Sequence, residues 1–535
     1  MPADVFQHGV ASGDPLTDRV MIWTRVTPDD AGLVDAERTA AGAERSGSGR
    51  GIPGRSGATH VGVSPPAESD AMLEVHWVVA RDEAITDVVA TGVTTASAEH
   101  DWTVHVDVGG LEPASTSWYG FRALDTDSPI ARTRTLPTQT GHCRFAMVSC
   151  AKFNAGFFNV YPRIAARDDL DFLLHLGDYI YEASNTPPAS QTPGADIGRP
   201  FDPLGECVTL DDYRTRYNQY HRDPDVQALH ARHPIIPTLD DHEFADGAWR
   251  DGSTEHKEEY GPWANRRREA FQAREEWLPV RRPDPDDPER VWRRVALGAL
   301  VDIFLIDTRT RRDEPVAEPA LSDPGRSAMG PEQRDWLFGE LTASTATWRL
   351  LANPSVLAST WSATLNDVAK PALAKVKLID PVTFLPDFDQ WDGYPAERTA
   401  LLELISGFDN LVVLSGDVHI SLATELHRDP FDPDDPPVAV EFVTPSITSQ
   451  NLDDKMGWPR HSDQARAAEQ ACLDGLPHWK WVDLDSHGYV IVDVSPNRLT
   501  AEYWHLDTVL ERSPGEARAA VFAVDRGTPR ALRVE

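Results

Sequence analysis

Residues Asp171 to Glu182 read DFLLHLGDYIYE, an apolar run, Phe172 to Leu174, followed within a few residues by Gly177, Asp178 and Tyr181. A short apolar run of this kind is the pattern of a strand buried on both faces, as in a parallel sheet. Polar side chains just past its carboxyl end stand where open α/β sheets gather ligands. The arrangement recurs along the chain. RFAMVS (144–149) runs into Cys150, PIIPTL (234–239) into Asp240, Asp241 and His242, and LVVLS (411–415) into Asp417 and His419.

Two more strands are expected at VDIFLI (301–306) and WRLLA (348–352). Helical segments fall between the strands at FFNVYPRIAARD, DDYRTRYNQY, ANRRREAFQAREEW, PEQRDWLFGEL and ERTALLELI, and the hairpin YVIVDVSPNRLTAEYWHLD closes the pattern. Strands alternating with helices predict an α/β domain over residues 143–535. There is no internal repeat.

Residues 1–137 have a different rhythm. Short alternating runs such as RVMIWTRV, LEVHWVVA and WTVHVDVGGL, separated by turn residues, predict an N-terminal β-sandwich of the immunoglobulin or fibronectin kind. The stretch near 30–68, rich in Gly, Ser, Ala and Arg, has no periodicity and is expected to be a mobile loop.

Acidic residues number 85 and basic ones 51, for a net charge of -34 at pH 7. Such a surface repels phosphate backbones, which excludes a general nucleic-acid-binding face. No run approaches the roughly 20 apolar residues of a membrane span. The start, MPADVFQHGVASGDP, shows neither the charged leader nor the apolar core of a signal peptide, which leaves a cytoplasmic protein or a trimmed exported one. Four cysteines in 535 residues do not make a disulfide framework. The oligomeric state is not encoded in any pattern.

The polar residues after the strands combine thiolate, carboxylate, phenolate and imidazole donors, a mixture suited to two or more cations. The Asp178 carboxylate could bridge two of them. Tyr181, deprotonated, would be a hard donor for a trivalent ion such as Fe(III). Each residue alone has a plainer reading: an Asx-turn or helix cap for the aspartates, a core ring for Tyr181, a packed imidazole for His419. Their joint occurrence at consecutive strand ends points to a site. No G-x-S-x-G elbow offers a serine nucleophile instead.

Several stretches resemble the PhoD-like alkaline phosphatases, a metallophosphoesterase family that also includes phospholipase D-type phosphodiesterases. FQHGVASGDPLTDRVMIWTRV resembles the opening of that family's sandwich domain. VSCAKFNAGFFNVYPRIA, LHLGDYIYE, LDDHEFADGAW, IDTRTRRD, GPEQRDWL and LSGDVHISL resemble successive blocks of its catalytic α/β sandwich.

The resemblance implies a centre of ferric iron and divalent cations, usually calcium. Cys150, Asp178, Tyr181 and His419 would hold the iron, with Asp178 bridging, while Asp241 and Asp417 would face calcium and Asn353 would add a neutral oxygen. His242 would act as acid or charge stabiliser, and Arg309 and Arg312 would bind substrate phosphate. Departures from the family pattern are Leu239 in place of a usual tryptophan, Gly247 in place of an asparagine, and Arg311 in place of an aromatic residue.

The implied activity is hydrolysis of a small phosphate ester by a metal-activated hydroxide. The alternative is phosphodiester cleavage at the same site, including phospholipase D-like cleavage, and a reading from another class is a non-catalytic binding relative. Two long insertions, SNTPPASQTPGADIGRPFDPLGE and LIDPVTFLPDFDQWDGYP, are expected over the site. Trp391 and Tyr394 in the second offer either a leaving-group pocket or plain packing.

Overall fold

The protein is described by a computed structural model over residues 5–28, 71–186, 197–316, 320–361, 365–380, 388–429, 432 and 434–535. The expected loop near 30–68 lies outside the described residues, as do the central parts of the two insertions.

The N-terminal region supplies β1 (Val10–Gly13), β2 (Arg19–Arg25), β3 (Met72–Ala80), β4 (Val88–Ser97), β5 (Thr103–Gly109), β6 (Thr116–Ala123), β7 (Thr126–Asp127) and β8 (Ala131–Arg134). There follow β9 (Cys143–Val148), β10 (Phe172–His175), β11 (Ile235–Pro237), β12 (Arg293–Leu297), β13 (Val301–Leu305), β14 (Trp348–Ala352) and β15 (Leu411–Ser415). The last strands are β16 (Ser421–Leu426), β17 (Ala439–Val443), β18 (Trp479–Asp483), β19 (Gly488–Val494), β20 (Arg498–Leu506), β21 (Glu516–Asp525) and β22 (Leu532–Arg533). The helices are α1 (Val160–Ala165), α2 (Leu210–His221), α3 (Pro224–His230), α4 (Trp263–Trp277), α5 (Pro331–Ala343), α6 (Ala369–Lys375), α7 (Pro395–Ile405), α8 (Leu452–Met456) and α9 (Asp463–Gly475).

A ten-stranded sheet runs β22-β21-β20-β19-β9-β10-β11-β1-β2-β5, and a seven-stranded sheet runs β12-β13-β14-β15-β17-β16-β18. The period-2 alternation of strand side chains explains how they stack. In β10, Phe172 and Leu174 face the second sheet, sharing a core with Ile303, Leu350, Val412 and Phe442. Leu173 points the other way, into a core with Tyr161 of α1, Tyr217 of α2 and Leu229 of α3. The outer face of the seven-stranded sheet is covered likewise by Leu337 of α5, Leu401 of α7 and Cys472 of α9. The result is a four-layer α/β sandwich, with the apolar faces of the central strands of both sheets covered.

The N-terminal strands form a sandwich whose core joins Val20 and Ile22 of β2 to Leu73 and Val75 of β3 and to Tyr119 and Phe121 of β6. One of its two sheets is not separate. β1 pairs in parallel with β11, and β2 and β5 carry the large sheet onward. The edge of β11 is thereby covered by chain from the N-terminal region, the usual remedy for an exposed strand edge. Trp23 of β2 crosses into the main core and donates its indole N–H to Glu276 O of α4 at 2.9 Å.

Candidate metal centre

Four of the expected site residues leave their strands in one unusual conformation. Cys150, Asp178, Asp417 and His419 have φ of 63°, 56°, 70° and 60°. The left-handed region costs an L-residue about 1–2 kcal/mol, so each needs local support. Cys150 and Ala151 have it from the backbone: their N–H groups donate to Gly177 O and Asp178 O at 3.2 and 2.9 Å, tying the loops after β9 and β10 together. Glu243 supplies it for Asp178, its carboxylate accepting from the N–H groups of Asp178, Tyr179 and Asp240 at 3.1, 2.7 and 2.7 Å. Gly177, with φ of 107°, lies so close to this loop that a Cβ would stand 2.5 Å from Asp240 N, which only glycine avoids.

Two groups of donors result. Ligand atoms of Cys150, Asp178 and His419 lie within 4.8 Å of one another, as do those of Asp178, Asp241 and His242, so Asp178 belongs to both. Tyr181 closes on the shared residue, its hydroxyl donating to Asp178 Oδ2 at 2.7 Å, accepting from Ser449 Oγ at 2.6 Å, and standing 3.4 Å from His419 Nε2. His419 Nδ1 lies 3.0 Å from the Gln450 carbonyl, which can only accept. That contact puts the proton on Nδ1 and leaves the Nε2 lone pair for a ligand bond.

His242 stacks on Tyr181 with ring centroids 4.0 Å apart, and its Nδ1 meets Glu182 Oε2 at 2.7 Å. Burial works against its charge, but Glu182, Asp178 and Asp241 prevail and hold its pKa well above the ordinary imidazole value. Burial pushes Asp178 well above the carboxylate range, offset in part by His242 and reinforced by Asp241, Glu243 and Asp417. Burial, with Asp178 next, raises the Cys150 thiol. His419 is lowered well below its usual value by burial and then by Lys455, which keeps it neutral.

The carboxylates share one large counterion. Arg309 is fully enclosed and bonds to Asp240 and Asp389, to Asp417 Oδ2 at 2.9 Å, and lies 3.6 Å from Asp241. Arg312 is as deeply buried, donating to Ala248 O and Asp389 O at 2.8 Å each and to the Asp389 carboxylate. Both guanidinium groups expected to bind phosphate therefore hold protein oxygens. Asn353 is likewise engaged with protein groups: its Oδ1 accepts from Trp391 Nε1 at 3.1 Å and its amide nitrogen donates to Ser355 O and, at 3.4 Å, to Ser415 Oγ. Asp417 sits at the rim of the cluster, bonded to Arg309 and to Gln390 Nε2, the latter at 2.6 Å.

The departures have local explanations. Gly247 has φ of 68° and approaches Thr254 so closely that a Cβ would meet Oγ1 at 2.4 Å. Leu239 is core. Arg311 pairs with Asp287 at 2.6 Å and lies over Trp292, away from the donors. Trp391 and Tyr394 are both buried, in packing roles.

Glu182, Glu243, Ser449, Asp389 and Gln390 were not singled out from the sequence. Glu182 had a signal, as the last residue of DFLLHLGDYIYE, and Glu243 stands directly after His242. Asp389 and Gln390 come from an insertion without periodicity, and Ser449 from a loop distant in sequence.

Cations fit this site. The donor set mixes sulfur, oxygen and imidazole nitrogen, the carboxylates repel one another behind a single arginine, and Asp240 Oδ2 is buried with no hydrogen-bond partner among the described residues. No helix among the described residues is long and apolar enough to cross a membrane.

Comparison with known proteins agrees with this architecture. The family profile described as PhoD-like phosphatase matches residues 145–503, and that of the PhoD-like phosphatase N-terminal domain matches residues 1–137. Alkaline phosphatase D of Bacillus subtilis (strain 168) is 32% identical over 527 residues, covering 96% of this chain and 79% of that protein. A solved structure of PhoD superposes with a TM-score of 0.80 at 30% identity, covering 100% of this chain and 93% of the other. The chain belongs to the PhoD-like phosphatase family and is a phosphoric ester hydrolase.

Proposed function

We propose that this chain is a phosphomonoesterase of the alkaline phosphatase type, holding ferric iron and calcium at the strand ends. The single observation that carries the reading is that Asp178 belongs to both donor groups. Cys150, Asp178, Tyr181 and His419 would hold iron, and Asp178, Asp241 and Asp417 would face calcium. Bound there, the cations supply Lewis acidity, lowering the pKa of water and neutralising charge on phosphoryl oxygens.

The chain's own groups do the rest. Glu182 fixes His242 through Nδ1, leaving Nε2 to donate toward a phosphoryl or leaving-group oxygen. Arg309 balances the carboxylates and holds Asp417 in place. Gly247 N–H does the same for Asp241, donating to Oδ2 at 2.7 Å. Held protonated by Glu182, Asp178 and Asp241 against burial, His242 would also offset negative charge developing on the substrate.

Turnover of p-nitrophenyl phosphate, its bis-ester and a phospholipid, measured with metal analysis of the same preparation, tests the reading. Stoichiometric iron and fastest turnover of the monoester are expected. A bis-ester hydrolysed faster would replace the monoester assignment, and a fully active protein without iron would remove the ferric one.

A further inference from the structure

Lysine is scarce in this chain, seven residues against 44 arginines. Three of the seven gather beside the metal-capable residues. Lys152 lies two positions past Cys150, its Nζ 5.6 Å from the centroid of the Tyr181 ring. Lys377 follows α6, takes φ of 59°, and reaches Asp246 with Nζ at 3.2 and 3.3 Å. Asp246 in turn donates its N–H to Glu182, the partner of His242. Lys455 belongs to α8, which packs against α6 and follows the Gln450 carbonyl that fixes His419.

These ammonium groups act on one another. Lys377 acts on the Lys152 ammonium and both act on that of Lys455, so the three groups lie close enough to repel one another. Like charges held together in a partly dry site are unfavourable until an anion joins them. Arg309 and Arg312 are already committed to carboxylates, whereas no carboxylate lies within ion-pair distance of Lys152 or Lys455 among the described residues. A lysine is a compact, strongly hydrated point charge suited to phosphate, and in a chain that uses arginine almost everywhere its choice here is chemical. On a surface of net charge -34 an anionic substrate also needs a local patch of positive charge to approach. The patch extends outward from the donors: Lys152 and Lys455 are half-buried, while the Lys377 side chain is 57% exposed.

We propose that Lys152, Lys377 and Lys455 form a second anion subsite that selects phosphate esters carrying a further phosphate group beyond the one cleaved. The inference rests on hydrolysis at the centre described above. It assigns the cleaved phosphate to the donors around Asp178 and the distal phosphate to the three lysines.

The test is calorimetric binding, to the holoenzyme, of analogues of thymidine 3′,5′-bisphosphate and thymidine 5′-phosphate in which a methylene replaces each ester oxygen, so that neither is hydrolysed. The parent should prefer the bisphosphate by about tenfold, the equivalent of one well-placed charge contact. In Lys152→Gln/Lys377→Gln/Lys455→Gln the preference should fall to about twofold or less. Lys480→Gln, which alters a lysine paired with Glu425 at 3.2 Å, should keep the parental ratio. If the triple variant fails to fold, each single variant should lower the ratio in part. A parent without preference, or variants that retain it, would overturn the subsite. Turnover of p-nitrophenyl phosphate by the same preparations reads the monoester assignment separately, because the binding ratio does not depend on cleavage.

Discussion

Tyr181 is the residue on which the identity of the metal turns. Its hydroxyl is buried, bonded to Asp178 and Ser449, and burial, Asp178 and Cys150 all raise its pKa well above the ordinary phenol value. Only a strongly polarising cation would make it a phenolate. A phenolate on Fe(III) transfers charge to the metal and absorbs visible light, so the purified protein should be coloured. Tyr181→Phe keeps the ring volume, and its visible band should shift or vanish with a large loss of activity and at most about 1–2 kcal/mol of stability. Cys150→Ser is the necessary comparison, since a thiolate also absorbs and an alkoxide forms far less readily at neutral pH. Unchanged colour, iron content and turnover in Tyr181→Phe would return the residue to the core. These two residues were legible in the sequence because each is a polar side chain stranded after an apolar run. Glu243 was not, because its work is to accept backbone N–H groups, and no spacing announces that.

At the scale of elements, β10, β13, β14 and β15 could be drawn from their apolar runs almost to the residue. β17 could not, because its central Glu441 is fully buried and reads as a break. The structure satisfies that carboxylate with the N–H groups of Leu357 and Ala358 at 2.8 and 2.7 Å and with Ser415 Oγ at 2.6 Å. The continuity of β1 with β11 was hidden for a different reason, since a parallel pairing between residues 222 positions apart leaves no local trace. The turn after β10 makes a sharp prediction. Gly177→Ala must move Asp240 or abandon a φ of 107°, so it should destabilise the fold by more than about 2 kcal/mol and lower metal content in any protein that folds. Normal metal content and melting temperature would show that the loop has slack.

Helix α9 makes the pH-dependent prediction. Burial, Asp483 and Asp485 hold the Glu469 carboxyl at about 8, against 4.5 for an ordinary glutamate. A folded pKa above the unfolded one means that this group's stabilisation is complete below about pH 4.5 and is lost as pH rises through 8. Glu469→Gln keeps an acceptor for the Leu484 N–H, which Glu469 Oε1 meets at 3.1 Å, and removes the titration. Its melting temperature should exceed the parent's increasingly from pH 5 to pH 9, by the equivalent of about 1–3 kcal/mol once solvent screening is allowed for. A difference that is flat across that range would show that Glu469 ionises freely.

For the whole molecule, the question is whether residues 1–137 form an independent module. Among the described residues, the metal-capable groups all lie beyond residue 149. The strands of residues 1–137 nevertheless complete the large sheet. Removing them would uncover the edge of β11, open the core around Trp277 that Trp23 fills, and free Arg281 and Arg293 from Asp14, whose carboxylate they hold at 2.7 and 2.6 Å. Residues 138–535 alone should therefore aggregate or melt far below the full chain, and co-expression with residues 1–137 should restore a soluble, active complex. Asp14→Asn separates docking from chemistry. Asparagine tolerates the positive φ of 41° at this position, so the variant should fold and lose about 1–3 kcal/mol of stability as one buried charge is removed, with kcat/KM for p-nitrophenyl phosphate within about twofold of the parent. A soluble, fully active fragment 138–535, or an Asp14→Asn protein with intact stability but lost turnover, would show that the N-terminal strands act otherwise than by completing the sheet.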